Sequence, residues 1–226
     1  EYQLNSKLDQ LGHLLYAIDA FLPATSTQSL FHQVAHSQLS NSELPISLEV
    51  YHDITKAQVS QVERLYQQRG SFDFRVQIPE SLAADKHFFT IVNAAPLSEY
   101  GHTLGESTAT KPAFSHHLYA SQTLQALSWR NSDKWSLLLP RPQEFELQTA
   151  IGLSFELSLL LEGLFSQVYQ NTKQHVRVIV EERAVFNSDW QNNFNLATLS
   201  PKVTRDVDFY GQTLTLQLYT KKQLSS

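Results

Sequence analysis

Residues 59–76 read VSQVERLYQQRGSFDFRV. A polar, glutamine-rich helical pattern runs to Arg69 and stops at Gly70. A short alternation of Phe72, Phe74 and Val76 follows and predicts a strand. A helix, a glycine stop and a strand in so short a span describe a chain of small α and β elements joined tightly. No residue of the stretch carries chemistry by itself.

The same grain extends on both sides. Residues 46–54, ISLEVYHDI, alternate Ile46, Leu48 and Val50 and predict a strand ahead of the helix. Residues 87–95, HFFTIVNAA, are rich in β-branched and aromatic side chains. In that strand His87, Phe89 and Ile91 share one face, and Phe88, Thr90 and Val92 the other. Alternation alone does not say which face looks into a cavity. Residues 100–107, YGHTLGES, form a glycine-punctuated turn. A helix is expected over 109–127, with Pro112 in its first turn and Phe114, Leu118 and Leu124 at near-helical spacing. Residues 134–142, KWSLLLPRP, predict a strand stopped by its prolines. The first half therefore reads β-α-β-β-α-β, a mixed sheet with helices on one side.

Pro140 and Pro142 mark the expected boundary. Beyond them come a strand at 148–155 and an amphipathic helix at 154–171. That helix carries Leu157, Leu160, Leu161, Leu164, Phe165 and Val168 on one face. A strand at 176–183 follows, then a turn at 187–189. Alternating segments at 203–209 and 214–220 flank Gly211 as a hairpin. The second half repeats the theme on a smaller scale.

At the start of the chain Leu4, Leu8, Leu11, Leu15, Ile18 and Leu22 step as a heptad seam, and Pro23 ends it. Such a seam suits packing on the helix's own domain or a dimer-forming stalk. Ser or Thr at 25–27 is positioned to cap a second helix that runs to Leu39.

The 226 residues suffice for one large or two small domains. With a net charge of -5 and 17 scattered Lys and Arg, there is no basic face for nucleic acid. The absence of cysteine excludes disulfides, thiolate metal sites and thiol nucleophiles. No apolar run is long enough to span a bilayer. The chain has no methionine and starts at Glu1, so it is expected to be a piece of a longer protein.

Catalytic signatures are missing. The 7 glycines never cluster into a phosphate loop, and neither HExxH nor GxSxG occurs. His32 and His36 stand one helical turn apart without a third ligand. Ser115, His116 and His117 are consecutive on a helix and cannot converge on one point. Glu181-Glu182 reads as a solvated strand end, and Asp206 and Asp208 as the outer side of a strand. No cofactor is expected, and the chain is expected not to be an enzyme.

Taken in order, these elements resemble the CHASE family of extracytoplasmic sensor domains, which lie between two membrane helices of receptor kinases and nucleotide cyclases. The resemblance rests on Val59, Val62-Glu63-Arg64, Tyr66, Gly70 and Asp73-Phe74-Arg75-Val76. It continues through the apolar strand HFFTIVNA, Leu104-Gly105-Glu106-Ser107, the helix to Ala120, Leu127-Ser128-Trp129 and Ser136-Leu137-Leu138-Leu139-Pro140. It covers nearly the whole chain. The helix 112–124 and the Pro-Arg-Pro ending depart from the family pattern.

The resemblance implies an α+β fold: a long N-terminal helix, then two PAS-like modules of mixed or antiparallel sheet with flanking helices. Residues 1–44 would be stalk and connecting helix, 45–140 a membrane-distal ligand-binding module and 141–226 a membrane-proximal one. It implies a homodimer through the N-terminal helix, flanking membrane helices reached through Lys221 and Lys222, and a periplasmic location. The output would be a histidine kinase, diguanylate cyclase or phosphodiesterase. In the family an acidic residue and a later turn hold the ligand, which places Glu106, Leu127 and Ser128 at the site. An apolar pocket there would add Phe89, His87, Leu139 and Trp129, with Trp135 as a second indole over it. The ligand is an unidentified small molecule. The alternative is a protein-interaction module of the same fold without such a ligand.

Overall fold

The computed structural model describes residues 2–22, 28–40, 42–80, 82–83, 86–129, 132–172, 174–188 and 200–220. The strand expected at 46–54 forms as β1 (Ser47–Ile54) and lies inside a six-stranded sheet. β2 (Phe88–Ala95) and β3 (Ser107–Ala109) extend the sheet on one side of it. β6 (Leu147–Glu156), β5 (Lys134–Glu144) and β4 (Gln125–Ser128) extend it on the other. Every ladder is antiparallel.

A second sheet holds β7 (Gln174–Val180), β8 (Arg183–Asn187), β9 (Val203–Phe209) and β10 (Gln212–Thr220) in the order β8-β7-β10-β9, again antiparallel. Both sheets follow one scheme. An early strand pair and a late hairpin meet through their first and last strands, β1 against β6 and β7 against β10. The chain is thus α+β: a long N-terminal helix, two antiparallel sheets and flanking helices.

Helices cover both faces of the first sheet. On one lie α1 (Tyr2–Phe21), α2 (Gln28–Leu39) and α3 (Val59–Gln68), over Leu48, Val50 and Ile54. On the other lie α4 (Leu97–Tyr100) and α5 (Pro112–Ser121). α6 (Leu157–Thr172) leads out of β6 toward the second sheet. Asp133 caps its start, where Oδ2 accepts the Ser158 N–H at 3.1 Å and the Ser158 hydroxyl.

The heptad seam of α1 is wholly buried within the chain itself. Leu4, Leu8, Leu11, Leu15, Ile18 and Leu22 join one core with Leu137 and Leu153 of the first sheet, Leu161 of α6, and Val207 and Phe209 of the second sheet. At Gly12 the helix approaches so closely that an added Cβ would stand 2.1 Å from the Tyr210 hydroxyl oxygen. At its other end Arg141 donates to the Leu22 carbonyl, with Nε 3.2 Å from Asp19 Oδ1. The seam side chains are therefore occupied and are not free for a partner helix.

The first sheet is antiparallel throughout with helices on both faces, where a mixed sheet with helices on one side is expected, and three further expectations differ from the structure. First, the prolines do not end the first sheet. Pro140 lies within β5 opposite Ala150, and β6 runs on to Glu156. β4 pairs with β5 only as far as Leu138, so Pro140 lies where the β4 side of β5 has no ladder that needs its N–H. Second, 72–76 is not a strand. Its backbone is held by side chains: Glu63 Oε1 accepts the Val76 N–H at 3.0 Å, and Gln67 Nε2 donates to the Phe74 carbonyl at 3.2 Å. Third, the helix expected over 109–127 is α5 alone, and Gln125–Ser128 is strand. The predicted cap at 25–27, Asp189 of the predicted turn, and Lys221 and Lys222 lie outside the described residues.

Candidate functional site

The face of the first sheet beneath α5 is built from alternate residues. β2 turns Phe89 and Ile91 to it, while Phe88 and Val92 belong to the α3 side. β1 contributes Tyr51, β4 contributes Leu127, β5 contributes Leu138, and Trp129 follows β4. α5 supplies Leu118, Phe114 and Tyr119 from above. Phe89 packs edge-on against Tyr51 at 6.3 Å and Phe114 at 6.1 Å between ring centroids, and stacks on Tyr119 at 6.4 Å. This aromatic floor is specific packing as well as buried area.

A buried carboxylate lies at each end of the floor, both from β1 and both facing α5. Glu49 is fully buried, at 0% exposure. It accepts from Ser47 Oγ at 2.9 Å, Ser154 Oγ at 2.7 Å, Lys134 Nζ at 3.0 Å and the Tyr51 hydroxyl. Ser136 Oγ lies 3.0 Å from the Tyr51 hydroxyl and 2.7 Å from Ser154 Oγ, and accepts the Trp129 indole N–H at 2.9 Å. Burial and the neighbouring Glu49 charge push the Tyr51 hydroxyl well above its usual range. Lys134 Nζ sits 4.2 Å over the Trp129 ring and 4.0 Å from Glu106 Oε2. Every polar member of this end has a partner.

Asp53, at the other end, is 4% exposed. His87 Nδ1 stands 3.1 Å from its Oδ1, but the imidazole side chain is 49% exposed. Burial pushes the Asp53 carboxyl up, against the lowering pull of a Ser115 hydrogen bond and of His87. Ser115 Oγ in turn lies 3.3 Å from Thr110 Oγ1.

The local sequence fixes where these groups sit. Gly105 takes φ +85°, and a Cβ there would lie 1.8 Å from the Arg75 carbonyl oxygen. Its carbonyl accepts the Gln77 N–H at 2.8 Å, so the 74–77 segment and the turn carrying Glu106 are tied together. Tyr66 of α3 stacks near Phe74 at 5.1 Å and its hydroxyl lies 2.9 Å from His52 Nε2. The stretch 59–76 thus supports the back of the site.

Of the residues predicted from sequence, Phe89, Leu127 and Trp129 meet in one cluster. His87 and Glu106 stand at its two ends. Leu139 and Ser128 do not belong there. Leu139 packs in the α1 core opposite Ile151, and Ser128 pairs with Trp135, which faces that same core and meets Phe209 at 5.6 Å. Sequence reading missed Glu49, Asp53, Tyr51, Lys134, Ser136 and Ser154. Beside the site an open cleft of about 1510 Å3 runs between the two sheets, walled on this side by Lys86, Thr110, Phe114, Leu127 and Trp129. No family model matches the sequence, and no curated protein matches it.

Proposed function

We propose that this chain is the small-molecule sensor domain of a transmembrane receptor, non-catalytic itself, with its ligand held on the face of the first sheet beneath α5. The observation that supports this reading is the face itself. An aromatic floor runs between two buried carboxylates and is rimmed by Lys134 and Glu106. A sheet packed for stability alone fills such positions with apolar side chains, because buried charge costs free energy even when paired. A ligand pocket uses the combination seen here, apolar lining with a few convergent polar groups.

Transmission would run through the sheet. β1 and β5 present Tyr51 and Leu138 to the site and Leu48, Leu137 and Leu139 to the core that holds α1. A ligand that favours one arrangement of those strands would bias the helix, provided its affinity differs between the two arrangements. The periplasmic location, the membrane helices on either side and the kinase or cyclase output rest on the sequence resemblance. No helix among the described residues is long and apolar enough to cross a membrane. A homodimer built on α1 would use its outer stripe, where Tyr2 and Tyr16 are exposed, rather than the leucine seam.

A thermal-shift screen against amino acids, organic acids, purines and amines tests the reading. A ligand at about 100 times its Kd adds about 2.7 kcal/mol of stability. The expected result is a stabilising compound whose effect is weakened in Trp129→Ala. Silence across all classes counts against the sensor and moves the protein-interaction module to first place.

A further inference from the structure

We propose that the Asp53 end of this face is the recognition end, and that it takes a primary ammonium group on a small molecule with an apolar or aromatic body. The inference rests on the ligand-site reading above and deepens it.

The two ends of the face differ in what they lack. The Glu49 end is complete, with four donors on the carboxylate and a lysine among them. Around Asp53 the set is unfinished. Asp53 pairs with Phe89 across β1 and β2, and Phe89 pairs with Thr108 across β2 and β3, so the three side chains lie in one row on one face. Thr108 is 2% exposed and its hydroxyl has no hydrogen-bond partner among the described residues. The buried Tyr119 hydroxyl, on the helix above, has none either.

Buried polar groups in folded proteins are paired, so the orphan Tyr119 hydroxyl above the Asp53 end and the orphan Thr108 hydroxyl beyond Phe89 call for an explanation. Asp53, with no lysine or arginine partner among the described residues, supplies the negative charge. The Tyr119 hydroxyl and the carboxylate supply acceptors for an N–H3 group, which carries three donors and accepts nothing, while Thr108 lies two strands from Asp53 beyond Phe89. An added carboxylate would meet repulsion from Asp53, and a neutral alcohol would leave its charge unbalanced. The adjoining rings of Phe89, Phe114 and Tyr119 suit an apolar body and favour a nearby cation. Thr110 and Phe114 also wall the inter-sheet cleft, which gives such a molecule a way in.

The test uses matched probes on the whole chain: phenethylamine, 2-phenylethanol and phenylacetate, alongside the broader screen. Melting temperature and calorimetric affinity are measured for wild type, Asp53→Asn, Tyr119→Phe and Asp208→Asn. The amine is expected to bind and the alcohol and acid are not. Asp53→Asn is expected to lose about ten- to a hundredfold in amine affinity, and Asp208→Asn, exposed on the second sheet, to keep it. Tyr119→Phe is expected to weaken the amine while leaving the free protein as stable as wild type or more so, which separates recognition from folding. Amine binding that survives both Asp53→Asn and Tyr119→Phe overturns the proposal, as does equal binding of the alcohol. If purines or acids stabilise the protein and amines do not, the sensor reading stands and this assignment falls. If no class stabilises it, both fall.

Discussion

Glu49 and Asp53 stand four residues apart on one strand and face the same helix, yet their surroundings are opposites. Glu49 is saturated by two serines, a tyrosine and a lysine. Asp53 has a half-exposed histidine and Ser115, with unpartnered hydroxyls nearby. The difference teaches that burial of a carboxylate is not one condition. A carboxylate with all its donors is part of the frame, and one with too few is a place where something else fits.

The largest expected effect breaks that comparison directly. Glu49→Gln removes the charge facing Lys134 and is expected to cost about 3–5 kcal/mol, since an uncompensated buried charge is left behind. Asp53→Asn removes a desolvated charge and is expected to change stability by about 1 kcal/mol or less. Urea denaturation of both variants checks this, and equal losses would dissolve the distinction.

The next effect concerns pH. Burial lowers the His52 pKa to about 4 from the ordinary 6.5, opposed by a backbone hydrogen bond at Gln148 and assisted by the Arg69 charge. Tyr66 and Thr149 face its two ring nitrogens. The unfolded chain therefore binds the extra proton first, and stability falls as pH drops from about 6.5 to about 4, by about 3 kcal/mol. Asp53 and Asp19, both pushed up by burial, act with the opposite sign as pH falls toward about 3.8, where the fold takes up their protons before the unfolded chain does. Stability curves of wild type and His52→Asn isolate the histidine, and parallel curves would refute its assignment.

Gly105→Ala is expected to cost more than about 1 kcal/mol, because the position has positive φ and no room for a Cβ beside Arg75. Its melting temperature should fall. An unchanged value would show that the turn bearing Glu106 is not fixed as described. The smallest effect is Thr108→Val in the free protein, which should stay within about 0.5 kcal/mol of wild type or exceed it.

Much of the fold was legible in the sequence, for physical reasons that also explain the failures. The α1 seam was plain because leucines at heptad spacing have few alternatives to burial, though spacing did not say against what. β2 was legible to the level of faces, since Phe89 and Ile91 separate from Phe88 and Val92 by alternation alone. The hairpins at Phe145-Glu146 and Glu181-Glu182 were not. Both central residues of each turn have positive φ, the mirror-image turn that asparagine and glycine usually announce, and neither pair carries that signal. The break expected at Pro140 and Pro142 therefore falls later, at α6, after the Phe145 turn has returned β6 to the first sheet. The site was hidden for another reason. In ISLEVYHDI the residues Glu49, Tyr51 and Asp53 alternate with apolar ones and read as the solvent side of a strand. α5 covers that side, and single-strand periodicity cannot reveal a helix that arrives some sixty residues later.

The central claim is that the face beneath α5 binds a small molecule by its Asp53 end. The most direct measurement is a 1H–15N spectrum of the protein titrated with phenethylamine. The account predicts saturable shifts at the amides of Asp53, Phe89, Thr108 and Ser115, with the amides around Glu49 and the second sheet less affected. No saturable shifts, or shifts gathered on the second sheet instead, would contradict it.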